Sequence, residues 1–210
     1  MLTERDQLLI SMLVWKTRLA MLQQILTVWW GTSESAMRNG HRRIRSLCQS
    51  GWLDARQVLA RPLLNLSQPL NIWTPGDTAP SFDHLAWQTQ SRWKCPARRV
   101  TVLAASQRAR QMIGGTGRRP LKNICQVTHD LHVTAIYLNY FREHPDLVNA
   151  WQGEDGIAVN RRYQVLPDAL LVDGEGHAYR AIEFGGSYDA QRLRHFHDGC
   201  AERELPYEVW

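Results

Sequence analysis

The chain has 210 residues, 44% of them hydrophobic and 21% charged, with a formal net charge of +5. That leaves room for one medium domain or two small ones and excludes a disordered or low-complexity protein. The basic excess, with a sequence pI of about 9.3, suits an anionic partner without naming one.

In chain order, residues 3 to 14 (TERDQLLISMLV) open with a cap-like T-x-x-D, and Leu8, Leu9, Met12 and Leu13 then fall at helical spacing. Glu4, Arg5, Asp6, Lys16 and Arg18 interrupt the apolar character, so this is neither a signal peptide nor a membrane span. A second helix is expected over about residues 18 to 29, on Leu19, Leu22, Ile25 and Leu26. The break Gly31-Thr32-Ser33 offers an N-cap at Ser33, and a third helix runs to a natural stop at Gly51. At 100° per residue, Arg38, Arg42 and Arg45 of that helix lie within about 60° of one another, with His41 adjacent. Met37, Ile44, Leu47 and Cys48 point the other way. Three helices, the last one basic, and then an extended segment from Trp52 are the outline of a winged helix-turn-helix, whose last helix lies in the major groove. The DNA-docking set expected there is Arg38, His41, Arg42, Arg43 and Arg45. The competing explanation is a solvated arginine face on an ordinary bundle.

Residues 54 to 98 hold five prolines and the turn signal Pro75-Gly76-Asp77. Short strands forming a wing and a connecting helix near 82 to 92 are expected. VTVLAAS (100 to 106) reads as a strand. The loop Gly114-Gly115-Thr116-Gly117 lacks the Gly-Lys-Ser/Thr ending of a nucleotide site. A helix is expected from about 129, with Leu131, Ile136 and Tyr140 along one side, then short extended pieces within 151 to 165. Two strands follow (about 168 to 173 and 178 to 184) across the turn Asp173-Gly174-Glu175-Gly176. Last come a helix over 189 to 203, with Leu193 and Phe196 inward, and a strand at YEVW.

Nearly all the positive charge is arginine, since Lys16, Lys94 and Lys122 are the only lysines. Guanidinium pairs bidentately with phosphate and stacks on bases, although an arginine-rich coding bias would look the same. Cys48, Cys95, Cys125 and Cys200 form no CxxC pair, which points to a reducing, cytoplasmic setting. His195 and His197 project about 200° apart on a helix and do not share one zinc ion; one buried and one exposed histidine is expected. The nine tryptophans are mostly accounted for by core packing, with base stacking open to some.

The stretch L-P-D-A-L-L-V…A-I-E-F-G-G resembles the core of PD-(D/E)xK nucleases, with Asp168 and Glu183 at the ends of two paired strands. Strands lie about 5 Å apart, so acids at the same end of both can share one hard cation, which polarises a phosphoryl oxygen and acidifies bound water. The resemblance implies that Asp168 and Glu183 are the catalytic, metal-binding acids for Mg2+ or Mn2+; beside it, Glu154 of W-Q-G-E is a candidate third acid and His129 or His132 a candidate base or ligand, none of them forced by the sequence. The superfamily places a lysine two residues after the Glu, where this chain has Gly185. Arg192 and Arg194 are the candidate substitutes, able to bind a phosphate but not to shuttle protons.

More narrowly, the chain resembles the replication-relaxation family of mobile-element proteins. The carrying residues are L-T-E-R-D, H-R-R-I-R-S-L-C-Q-S-G-W-L, H-D-L-H-V (129 to 133), W-Q-G-E-D (151 to 155), P-D-A (167 to 169) and I-E-F-G-G (182 to 186), with 60 to 120 the weakest part. The resemblance implies an α+β protein with a winged-helix DNA-binding domain (1 to 78), a connecting segment (79 to 98) and a restriction-endonuclease-like α/β domain with a mixed sheet (99 to 210). The expected function is a DNA-binding accessory protein of a mobile genetic element such as a plasmid. Double-stranded DNA is the expected partner, along with other proteins of the same DNA-processing complex, and no membrane is expected. A Mg2+- or Mn2+-dependent endonuclease and a protein-interaction adaptor are the alternatives.

Overall fold

The computed structural model describes residues 1–115, 124–157 and 166–210, apart from the side chains of Ile124 and Asp155. Helix α1 (Glu4–Ser11) starts from a capping box: the Thr3 hydroxyl accepts the Asp6 N–H while the Asp6 carboxylate accepts the Thr3 N–H. A π-helical turn, Met12–Lys16, continues it. The second helix starts later than its periodicity indicates. Ala20–Met21 form a short strand, β1, and α2 spans Leu22–Trp29. Ala20 and Met21 pair with Leu103 and Val102, a contact far along the chain that local spacing does not report.

Helix α3 (Glu34–Gln49) is capped by Ser33, whose hydroxyl accepts the Ala36 N–H. It stops where expected: Gly51 takes a left-handed φ of +73° and the Trp52 N–H reaches the Leu47 carbonyl. Helices α2 and α3 meet closely at buried Gly40, where an added Cβ would lie 2.5 Å from Leu26 Cδ2 and 3.0 Å from the Trp30 ring. Strand β2 (Leu53–Ala60) follows. Strand β3 (Asn71–Trp73) and helix α4 (Phe82–Ser91) come next, then strand β4 (Arg98–Ala105). β2 and β4 pair antiparallel along their full length, and β1 takes the other edge of β4. Helices α5 (Gln107–Ile113) and α6 (Ile124–Glu143) complete this region.

Further on lie β5 (Trp151–Gly153), α7 (Glu154–Ile157), β6 (Ala169–Val172), β7 (Ala178–Glu183), α8 (Ala190–Ala201) and β8 (Tyr207–Val209). They form a mixed sheet ordered β3-β8-β7-β6-β5. β5, β6 and β7 are antiparallel neighbours, while β7 and β8 are parallel and are joined by α8, the crossover that a parallel pair requires. In the β6–β7 turn, Asp173 Oδ1 accepts the N–H groups of Glu175 and His177, and Gly176 takes a φ of +85°. Leu193 and Phe196 face inward as expected, and His197 is buried while His195 is exposed. Buried Glu208 ties three elements together: Tyr140 Oη and Trp210 Nε1 donate to one carboxylate oxygen and Arg180 to the other.

The chain is therefore α+β, in two compact units: Met1–Leu63 with Pro96–Leu138, and Leu64–Cys95 with Asn139–Trp210. This division departs from the linear one at residues 78 and 98. β4, expected in the C-terminal domain, pairs with β1 and β2, and β3, expected in a wing, pairs with β8. Pairing between distant strands decides membership, and composition along the chain does not carry it. Among the described residues no helix is long and apolar enough to cross a membrane. The 114–117 loop beyond Gly115 and the extended pieces expected over 158–165 lie outside the described residues.

Candidate functional site

Asp168 stands just before β6 and Glu183 ends β7, with Ala169 paired to Ile182. The two carboxylates clasp each other's backbone: the Phe184 N–H donates to Asp168 Oδ2 (2.7 Å) and the Asp168 N–H donates to Glu183 Oε2 (3.1 Å). Glu183 is 5% exposed. Its other oxygen, Oε1, accepts the Tyr188 hydroxyl at 2.7 Å, and Arg192 donates to that same phenol oxygen at 2.7 Å with its guanidinium 3.7 Å from the ring centroid. The result is a chain from Arg192 through Tyr188 to Glu183. Asp189 caps α8 by accepting the Arg192 N–H, which aims the first turn of the helix at the site.

Burial, the negative charges of Glu183 and Asp168, and the hydrogen bond to Glu183 push the Tyr188 hydroxyl far up, against a smaller opposing effect of Arg192. Tyr188 is thus a fixed donor and not a base. Cys200 is pushed up to about 11, mainly by burial, with Arg203 opposing and Glu183 adding to it, so it presents no thiolate. Of the two substitute cations expected, the structure brings Arg192 to the acids, while Arg194 lies over the Phe82 ring at 4.7 Å. Glu154 comes next to Asp168 through its backbone, its N–H donating to the Asp168 carbonyl at 3.1 Å. His129 and His132 belong to the first unit, where His132 Nδ1 lies 2.6 Å from the Thr128 carbonyl and His129 lies 3.7 Å from Asp130.

At least three of the four Asp168 and Glu183 oxygens already accept protein hydrogen bonds. Among the described residues, no group of three or more His, Cys, Asp or Glu side chains is placed to hold a metal ion. These bonds fix both carboxylates against the backbone and Tyr188, so a hard cation held there would draw on the lone pairs that they leave.

Gly185 is occupied space rather than an open lysine position. An added Cβ would lie 2.9 Å from Thr89 Cγ2 and 3.2 Å from Val209 Cγ1, and Thr89 is fully buried. The Gly185 N–H donates to the Trp210 carbonyl, and Gly186 takes a φ of +51° with its carbonyl accepting Trp93 Nε1–H. The paired glycines thus serve close approach at 185 and a left-handed turn at 186. The nearby cation is Arg92, which lies over the Phe184 ring at 4.9 Å and donates to the Trp210 carbonyl. Burial lowers it to about 10. Sequence reasoning missed both Tyr188 and Arg92. Tyr188 had the signal of its place between Glu183 and the Asp189 cap, whereas Arg92 had none.

In the first unit, α3 buries Ile44 and Leu47 and leaves Arg38, His41, Arg42 and Arg45 exposed. Arg38 pairs with Glu34 at 2.6 Å and Arg42 donates to Asn39 Oδ1 at 2.7 Å. Arg43 turns away from this set and forks onto Asp6 of α1, which is 1% exposed. Burial alone would raise the Asp6 carboxyl, but the Arg43 fork and the Thr3 hydrogen bonds hold it at about 2. Arg43 is therefore a tie between α1 and α3. Compared with protein-family models, curated proteins and solved structures, the chain gives no significant match to any of them.

Proposed function

We propose that the protein is a DNA-binding accessory protein, docking duplex DNA through a winged helix built by its first unit and carrying a nuclease-like second unit that does not cut. The observation that carries this reading is α3, whose Arg38, His41, Arg42 and Arg45 stand exposed on the side opposite buried Ile44 and Leu47. The order α1, β1, α2, α3, β2, β4, with β1 and β2 on opposite edges of β4, supports the winged-helix reading, in which the basic last helix enters the major groove. The order β5, β6, β7, α8, β8, with acids at adjacent strand ends, supports the nuclease-like reading of the second unit. The closed Gly185 position and the committed carboxylates favour a module that holds DNA or a partner. The setting in mobile-element DNA rests on the motif resemblance to the replication-relaxation family.

Adjacent Asp168 and Glu183 favour an endonuclease as the second reading. Supercoiled plasmid incubated with the protein in Mg2+ and then Mn2+, beside an Asp168→Ala/Glu183→Ala variant, separates the two. The expected result is intact plasmid in every lane, with a salt-sensitive gel shift for both proteins. Nicking by the wild type that the variant loses would establish the endonuclease instead.

A further inference from the structure

We infer that the groove between the start of α1 and the polar side of α3 is a second DNA contact, taking a backbone phosphate between Arg5 and Arg42. This rests on the reading that α3 docks duplex DNA. The groove is lined by Thr3, Arg5, Trp30, Asn39, Arg42 and Ser46. Its cations differ in what holds them. Arg43, also at the groove, is neutralised by Asp6, and Arg38 on the same helix is paired with Glu34. Arg42 is held by the neutral Asn39 amide, and Arg5 lies 5.1 Å from the centroid of the Trp30 ring. Among the described residues neither is ion-paired, while their guanidinium planes are oriented, and an oriented fork suits a phosphate.

Trp30 is fixed in turn, because its ring packs against Gly40, where a Cβ would come within 3.0 Å. Gly40 thus lets α2 and α3 approach closely enough for Trp30 to hold Arg5 beside α3. Ser46 and Asn39 supply neutral donors around the two guanidinium groups, while the Thr3 hydroxyl donates to Asp6. Glu4 also lines the groove and is the one carboxylate there with no ion-pair partner among the described residues, so it opposes an anion. Arg5 lies outside the helix that a recognition-helix argument inspects, and its sequence context, L-T-E-R-D, reads as a helix cap.

The test is fluorescence anisotropy of a short labelled duplex of mixed sequence, titrated with wild type, Arg5→Ala, Arg5→Lys, Glu4→Gln and Arg42→Ala over a range of salt concentrations. Arg5→Ala should weaken binding about three- to tenfold and lower the salt slope by about one, because one phosphate contact is lost. Arg5→Lys should recover the slope but only part of the affinity, since it keeps the charge and loses the fork. Glu4→Gln should bind more tightly than wild type. Arg5 is exposed, and circular dichroism of its variants should match wild type. An Arg5→Ala protein that binds like wild type at every salt concentration, while Arg42→Ala is weakened, would overturn this inference and leave the α3 reading standing. A wild type that fails to bind the duplex would overturn the α3 reading itself, and this inference with it.

Discussion

Replacing Arg42 and Arg45 together with alanine is expected to weaken duplex binding about ten- to a hundredfold near physiological salt, and to reduce the slope of log affinity against log salt by about two. Both side chains are exposed, and among the described residues neither is paired with a carboxylate, so each can neutralise a phosphate and release its counterions. Arg38 is the weaker member of the set because Glu34 already meets it, although an exposed pair of that kind contributes little and exchanges readily. Arg43 is not a fair probe of DNA contact: its removal would leave the buried Asp6 carboxylate without its fork, which lowers stability rather than affinity alone. Binding isotherms across salt, with thermal unfolding of the same samples, separate the two effects. Unchanged affinity and slope in the double variant would remove α3 from the interface.

Restoring the missing lysine is expected to do harm. Gly185→Lys should lower stability by about 1–3 kcal/mol through overpacking alone, and should yield no plasmid cleavage in Mg2+ or Mn2+. Thr89 of α4 and Val209 of β8 occupy the space that its Cβ needs. Gly185 is itself buried, so the new ammonium must pair, lose its proton or push α4 aside. Denaturant unfolding measures the cost and a plasmid assay reads the chemistry. A variant as stable as wild type that nicks plasmid would show that the site lacks only a cation. The reason for the expected inactivity lies beyond residue 185: Tyr188 stays protonated, Cys200 is not a thiolate, and Arg192 donates to the Tyr188 hydroxyl. Neither Tyr188 nor Cys200 offers a proton acceptor beside the carboxylates, which already accept hydrogen bonds from the backbone and from Tyr188.

Much of this arrangement was legible in the residues. Ser33, Gly51 and Asp189 mark helix ends through capping and left-handed geometry that short stretches encode directly. The opposed faces of α3 follow from its 3.6-residue period. The Asp168–Glu183 pairing follows from two strands joined by a tight Asp-Gly turn, whose register brings their ends together. Where the reading fell short, the cause was contact between distant segments. β1 is drawn out of a helical pattern by β4, and β3 joins β8 across most of the chain. Arg43 looks like one more cation of H-R-R-I-R until Asp6, on another helix, claims it. Gly185 reads as a vacancy until Thr89 and Val209 are seen to fill it.

The most direct measurement of the central claim is the affinity of the wild-type protein for a mixed-sequence duplex as salt is raised. The account predicts measurable binding at low salt and a linear fall of log affinity with log salt, with a slope of about −2 to −4 for the exposed arginines of α3 and its groove. Absence of binding at low salt, or an affinity indifferent to salt, would contradict it.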